Sequence, residues 1–242
     1  MTTTDGRSQL QKQGREMVIP TQALLLCFRI ELRETEPLVW RALEVPGDAT
    51  FWDLHVAIQD AMGWLDYHLH RFTVPHPRTK KALIFGIHNM HQDCDDPPSW
   101  ATQLASVFTL QNATALYEYD FGDDWCHTVQ LVEVRQRDFK APYPRCVDGA
   151  RACPPEDCGG VQAYAEIVAG TIDDDTRRWL PRGYDPARFT PTAVHFSDPW
   201  RRLAYSWYGD PAAGDTPTES LPVKQRRTPR ASEPRDPIPG TR

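Results

Sequence analysis

The sequence predicts an α+β fold: an antiparallel sheet built from hairpins, one amphipathic helix packed on it, and a helical C-terminal part. Three observations carry that expectation. Apolar residues alternate at every second position in several stretches before residue 134; helical spacing interrupts them once, at 51–62; and the remaining helical signals gather beyond residue 160. Leu24, Leu26, Phe28, Ile30 and Leu32 mark the first strand, and Val39, Arg41, Leu43 and Val45 its hairpin partner after the Glu36-Pro37 break. Thr50, with Asp53 three residues on, has the form of a capping box, and Phe51, Leu54, Ile58, Ala61 and Met62 then recur at helical spacing up to Gly63. Strand signals return at 68–74, 83–87, 116–121 and 125–134, the last two joined by the turn Gly122-Asp123-Asp124 into a second hairpin. Val161, Tyr164, Ile167 and Val168 mark a helix ending at Gly170. Asp185-Pro186, Thr190-Pro191 and Asp198-Pro199 each put a capping residue before a proline at the first helical position.

The chain has 242 residues, of which 40% are hydrophobic and 25% charged, so collagen-like, coiled-coil and wholly disordered classes are excluded. The longest apolar run, 23–28, stops at Arg29, far short of the roughly 20 residues a bilayer span needs. Residues 1–20 hold no apolar secretory core and read as a flexible tail, which makes a cytoplasmic, reducing setting the expectation. The domain is expected over 21–208. Residues 209–242, with seven of the 22 prolines, no aromatic residue and the basic stretch Lys224, Arg226, Arg227, Arg230, read as a disordered tail. Each tail carries a net +1 against a total of -6, so the middle is acidic, which argues against a broad phosphate-binding face. Nucleic acid or a protein partner is left to the basic tail, and no membrane contact is expected.

The richest segment for chemistry is 143–160, with Cys146, Cys153 and Cys158 separated by turn-forming Gly and Pro. Three thiolates converging on one ion would make a tetrahedral structural zinc site if a fourth ligand joined them. Cys126 and His127 lie on opposite faces of the neighbouring strand, and His127 is the choice, because Cys126 shares its face with Thr128 and Gln130. The alternative is a rigid loop whose cysteines are small buried hydrophobes. A second constellation comprises Asp120, Asp123 and Asp124 at the hairpin turn with Glu156 and Asp157 in the cysteine loop. If the loops meet, these carboxylates and His127 would hold a hard divalent ion or divide acid and base roles, as in a hydrolase or nuclease. Aspartate beside glycine is also ordinary turn chemistry. The segment 88–96, with His88, His91, Asp93, Cys94, Asp95 and Asp96, reads as a polar loop, and His68 and His70 read as core or edge histidines rather than ligands.

Nucleophile chemistry finds little support. Ser99, Ser106, Ser197 and Ser206 are the serines of 21–208, none stands in a G-x-S-x-G elbow, and no P-loop occurs. A thiol nucleophile at Cys153 or Cys158 with His127 as base lacks the usual helix start, since Pro154 and Pro155 follow Cys153. Trp40, Trp52, Trp64 and Trp125 read as core and hairpin packing, because aspartates rather than basic residues flank them.

Pro37-Leu-Val-Trp40-Arg41, Asp53-Leu-His55 through Ala61-Met62-Gly63-Trp64 and His68, Tyr119-Asp-Phe-Gly-Asp-Asp-Trp125 with His127, and Tyr143-Pro-Arg-Cys146 with Ala152-Cys153-Pro-Pro-Glu-Asp-Cys158-Gly-Gly160 occur in that order. Together they resemble the plasmid pRi ORF-three-like family, whose members are also described as TnpR-type passenger proteins of an insertion element. The resemblance covers about residues 21–196. It implies a compact α+β fold and an association with plasmids and transposons, without implying an activity. The resolvase that the passenger name suggests would need a nucleophilic serine near the first strand and a basic recognition helix, and the first strand has no serine. Cys126, at a position that varies in the family, and the extension from Pro199 to Arg242 inherit nothing from the resemblance. The reading at this point is a mobile-element binding or accessory module with a candidate zinc site at Cys146, Cys153, Cys158 and His127. Its rival is a metal-dependent hydrolase or nuclease using Asp120, Asp123, Asp124, His127, Glu156 and Asp157.

Overall fold

The structure, a computed structural model, describes residues 19–86 and 98–208, with side chains to residue 204. The expectations for the N-terminal tail before residue 19, for the loop at 88–96 and for the basic tail at 209–242 lie outside the described residues. The chain divides into two units, 1–203 and 204–242, and everything below concerns the first apart from the end of its last helix.

Strand β1 (Leu24–Leu32) pairs antiparallel with β2 (Val39–Pro46), Leu25 facing Pro46 and Leu32 facing Val39, which is the first expected hairpin. Strands β5 (Thr114–Tyr119) and β6 (Trp125–Gln136) form the second, with Tyr119 opposite Trp125. Strand β3 (His70–Pro75) lies between β4 (Ala82–Gly86) and β5, β6 joins β1, and β7 (Arg145–Ala150) closes the other edge against β2. The result is a seven-stranded antiparallel sheet in the order β4-β3-β5-β6-β1-β2-β7. Strand β7 corrects the expectation of a turn-rich cysteine loop starting at residue 143. Its side chains are largely exposed, so it lacks the alternating apolar signal and exists through its ladder with β2. Gly149 makes that ladder possible, because a Cβ there would meet the Phe189 ring at 2.5 Å and Trp40 O at 2.8 Å.

Helix α1 (Phe51–Met62) begins at the capping box read from the sequence: Thr50 Oγ1 accepts from Asp53 N, and Asp53 Oδ2 accepts from Thr50 N at 2.6 Å. It ends where Gly63 adopts φ +86°, a left-handed conformation that costs glycine least. Its inner side buries Phe51, Leu54, Ala57 and Ile58 against the sheet, with Phe51 stacked 3.9 Å from Phe85. Side chains of this size are each worth about 1.5–3 kcal/mol when buried, so the helix is fixed on the sheet by hydrophobic burial. The outer side is not solvent-facing as an amphipathic surface helix would be. Trp52 and Val56 pack with Leu203, Trp52 Nε1 donates to Pro199 O, and Asp60 accepts from Arg202 at 2.6 Å.

The C-terminal part is helical, with α2 (Gly160–Ala169), α3 (Asp174–Trp179) and α4 (Pro199–Tyr208). Of the three Asx/Thr-Pro helix starts expected, one holds in full: Asp198 Oδ1 accepts from the amides of Trp200 and Arg201 at the head of α4. Thr190-Pro191 opens a single 3-10 turn, Pro191–Ala193, and Asp185 only closes a local turn onto Ala187 N. Trp52, Trp64 and Trp125 are core residues, as expected.

Candidate metal centre

Between α1 and β3 the chain runs extended from Trp64 to His70, and its side chains alternate. Leu65, Tyr67 and Leu69 point to solvent, whereas Trp64, Asp66, His68 and His70 turn inward. Trp64 Nε1 donates to Pro154 O, and Leu65 N donates to Glu156 Oε1 at 2.7 Å, so the cysteine loop is pinned to this segment. The hairpin turn between β5 and β6 is held from the other side: Asp120 N donates to Leu69 O, and Asp120 Oδ1 accepts from Gly122 N. Asp123 Oδ2 accepts from Gly159 N at 2.9 Å, tying the turn to the start of α2. The two loops therefore do meet, as the acidic reading required.

What they enclose is an imidazole facing three carboxylates. His68 Nε2 lies 3.0 Å from Asp157 Oδ1, 3.5 Å from Asp120 Oδ2 and 4.0 Å from Glu156 Oε2. Despite these distances, neither His68 Nε2 nor Glu156 Oε2 finds a hydrogen-bond partner among the described residues, so the carboxylate oxygens lie off the N–H direction. Two ligands about 2.1 Å from one ion stand roughly 3.0 Å apart at right angles and roughly 3.4 Å apart in a tetrahedron, which matches the two shorter separations. The other carboxylate oxygen of Glu156 accepts from Leu65 N and from the hydroxyl of Tyr119, which in turn accepts from Tyr67 N. Burial pushes the Glu156 carboxyl above its ordinary range, and the hydrogen bonds from Leu65 and Tyr119, with His68, pull the other way. Asp120 and Asp157 both hold left-handed backbone, at φ +53° and +55°, a conformation aspartate tolerates better than most residues. The site is open on one side, since the Asp157 side chain is two-thirds exposed.

Of the six residues the sequence points to for the acidic constellation, three, Asp120, Glu156 and Asp157, converge on His68. Asp123 acts as the tie between loops. Asp124 turns away toward the thiol of Cys126 and Glu118, the latter already bound twice by Arg71. His127 is a correction: it is wholly buried, with Nδ1 3.3 Å from Tyr117 O and its ring edge-on to Trp64. Burial lowers its pKa to about 3, so it stays neutral. The alternation along β6 puts residue 127 on the core face, while the carboxylates gather at the strand's end. The histidine that faces them is His68, which the sequence reading set aside.

The three cysteines are disposed differently. Among the described residues, the groups of three metal-capable side chains whose ligand atoms lie within 4.8 Å of one another are His68, Asp120, Asp157; His55, Asp66, His70; and Glu118, Asp124, Cys126. None contains Cys146, Cys153 or Cys158. The guanidinium of Arg41 is fixed by the carbonyls of Ala61, Trp40 and Ala150, and its charge favours the thiolate forms of Cys146 and Cys153 against their burial. Burial holds these thiols protonated, pushing Cys158 up to about 12.

A sheet carrying a histidine–carboxylate cluster between a helix–strand lead-in and two loops defines an α+β domain. Residues 25–193 match the family model described as plasmid pRiA4b ORF-3-like protein, and the chain belongs to that family. A similar curated protein is the uncharacterized protein y4hQ of Sinorhizobium fredii (strain NBRC 101917 / NGR234), 30% identical over 157 residues, which cover 62% of this chain and 75% of that one. The crystal structure of MM3350, a protein of unknown function from Methanosarcina mazei Go1, is 37% identical, with a TM-score of 0.67 over 72% of this chain and 98% of that one. No helix among the described residues is long and apolar enough to cross a membrane.

Proposed function

We propose that this plasmid-associated protein is a divalent-metal-binding module whose ion is held by His68, Asp120, Glu156 and Asp157. The observation that carries the reading is the set of donor atoms around His68 Nε2, close to it yet not hydrogen-bonded to it. One imidazole with three carboxylates is a mixed set. It favours Mn2+, Fe2+ or Zn2+ over Mg2+ and Ca2+, which prefer oxygen alone. Three negative ligands leave the loaded site with a net charge of about -1, which suits a role in binding or in ordering the two loops as an accessory surface.

A hydrolytic reading is the second. It is favoured by the exposed side of the site and by Glu156, a carboxyl with a raised pKa and one free oxygen, which suits taking a proton from a metal-bound water. Metal removal separates the two. A module whose ion orders the fold loses melting temperature on chelation and shows no turnover with Mn2+ on phosphoester and nucleic-acid substrates. A hydrolase keeps its fold and loses turnover. A chain whose melting is indifferent to chelator and which turns over no substrate would overturn both. A cysteine-held zinc, proposed from the sequence, predicts instead an ion that survives His68→Ala and is lost in Cys153→Ser.

A further inference from the structure

We infer that the same extended segment serves a second, buried metal centre, with the imidazoles of His55 and His70 and the carboxylate of Asp66 as ligands to a borderline divalent ion such as Fe2+ or Zn2+. His55 comes from the middle of α1, Asp66 from the lead-in and His70 from the start of β3, and one donor atom of each lies within 4.8 Å of the others. His55 Nε2 and Asp66 Oδ1 are hydrogen-bonded at 2.8 Å, a separation close to the roughly 3 Å of two ligands at right angles on one ion, so an ion would take the place of the shared proton.

The independent observation is His70. Its side chain is inside the protein, 3% exposed as a residue, and neither ring nitrogen finds a hydrogen-bond partner among the described residues. A neutral imidazole has one N–H and one lone pair, and burying both unmet is among the costlier things a fold can do. An ion on one nitrogen removes half of that deficit. The far nitrogen of His55 is oriented as in metal-bound imidazoles, by a hydrogen-bonded outer partner: Nδ1 is 2.8 Å from the hydroxyl of Tyr117, which also accepts from Gln59 Nε2 at 2.9 Å. Asp66 Oδ2 stands 4.0 Å from Arg202, so one carboxylate oxygen faces a cation, while the other already meets His55 Nε2 and would exchange that hydrogen bond for the ion. The rings of His55 and His70 stack at 3.5 Å, 11° from parallel. Bringing the His70 lone pair onto the shared ion takes a swing about its Cβ–Cγ bond, a torsion with a broad well. Two histidines and one carboxylate form the set used by non-haem iron sites and accepted by zinc. Here the set is closed by Trp52 and α1, so its ion would clamp the helix to β3.

The test uses the full-length chain carrying His68→Ala and Asp157→Ala, which disables the open centre, and Co2+ as the probe. The expected result is one Co2+ per chain, visible as the d–d absorption of a nitrogen and oxygen site. That absorption disappears on adding His70→Gln and weakens at least tenfold in affinity on adding Asp66→Asn, with circular dichroism reporting the fold. No Co2+ uptake, uptake indifferent to both added substitutions, or the intense near-ultraviolet band of thiolate ligation would overturn the inference. Should His70→Gln fail to fold, the histidine-ring NMR signals of the parent double variant decide. Co2+ shifts two buried imidazoles if the centre exists and none if it does not.

Discussion

Tyr119→Phe isolates the support under the open centre. Tyr119 is fully buried, its ring stacks 4.9 Å from Trp64, and its hydroxyl both donates to Glu156 Oε1 at 3.0 Å and accepts from Tyr67 N at 3.1 Å. Phenylalanine fills the same space, so the change removes two hydrogen bonds and leaves packing alone. Leaving a partly buried amide without its acceptor costs about 1–3 kcal/mol, which for a domain of this size lowers the melting temperature by about 2–4 °C per kcal/mol. Glu156 also loses one of the two donors that counter its burial, so its pKa rises further and protons compete more strongly with the ion for its carboxylate. Loss of an orienting outer partner typically weakens a metal site about 10–100-fold. Urea unfolding and isothermal titration with Mn2+ on the same preparation read both effects. Stability falling with unchanged Mn2+ affinity would refute Glu156 as a ligand held by Tyr119, and neither falling would refute the hydrogen-bond argument itself.

Thr50→Ala removes the capping box of α1 and leaves the amides of Phe51 and Trp52 on the carbonyls of Thr102 and Ser99, and should cost about 0.5–2 kcal/mol by chemical denaturation; a change under a few tenths would show that those bonds and packing set the helix start. His127 is neutral when folded, with its pKa lowered from 6.5 to about 3, so below pH 6.5 the unfolded chain takes up the proton first and stability falls as pH drops toward 3. The His127 contribution approaches about 5 kcal/mol at the acid end, and His127→Leu should flatten the pH dependence of unfolding over that window; an unchanged slope would contradict a buried neutral ring. Gly149→Ala should loosen β7 by about 1–3 kcal/mol through overpacking against Phe189 and Trp40, read as a lower melting temperature.

How much of this was legible in the sequence follows from where each signal resides. The two hairpins and α1 were legible because their cues are local: alternation in β1 and β6, a turn of Gly and Asp, and a capping box closed by Gly63. Strand β7 was hidden because Arg145–Ala150 is an edge strand with little burial, whose order comes from β2 and from the close approach at Gly149. The six-residue α3 offers too few turns for a periodic signal, although Asp173 caps it. In the candidate cluster, the carboxylates at 120, 156 and 157 lie together at turns that the sequence exposes, whereas the histidine beside them is His68 and not the buried His127. Alternation along β6 separates Cys126 from His127 correctly but does not say which face meets the loops, and the answer depended on how the 64–70 lead-in crosses the end of β5. A signal was present there. Trp64, Asp66, His68 and His70 occupy every second position, and that pattern places three metal-capable side chains on one side of an extended chain.

His68 and the carboxylates of both loops are proposed to hold one ion together. Elemental analysis of the full-length chain, loaded with Mn2+ and freed of excess, tests it most directly beside the His68→Ala variant. His68→Ala should lower the content by one ion per chain while circular dichroism stays that of the folded protein. A wild-type chain that retains no ion, or a His68→Ala chain that retains as many as the wild type, would contradict it.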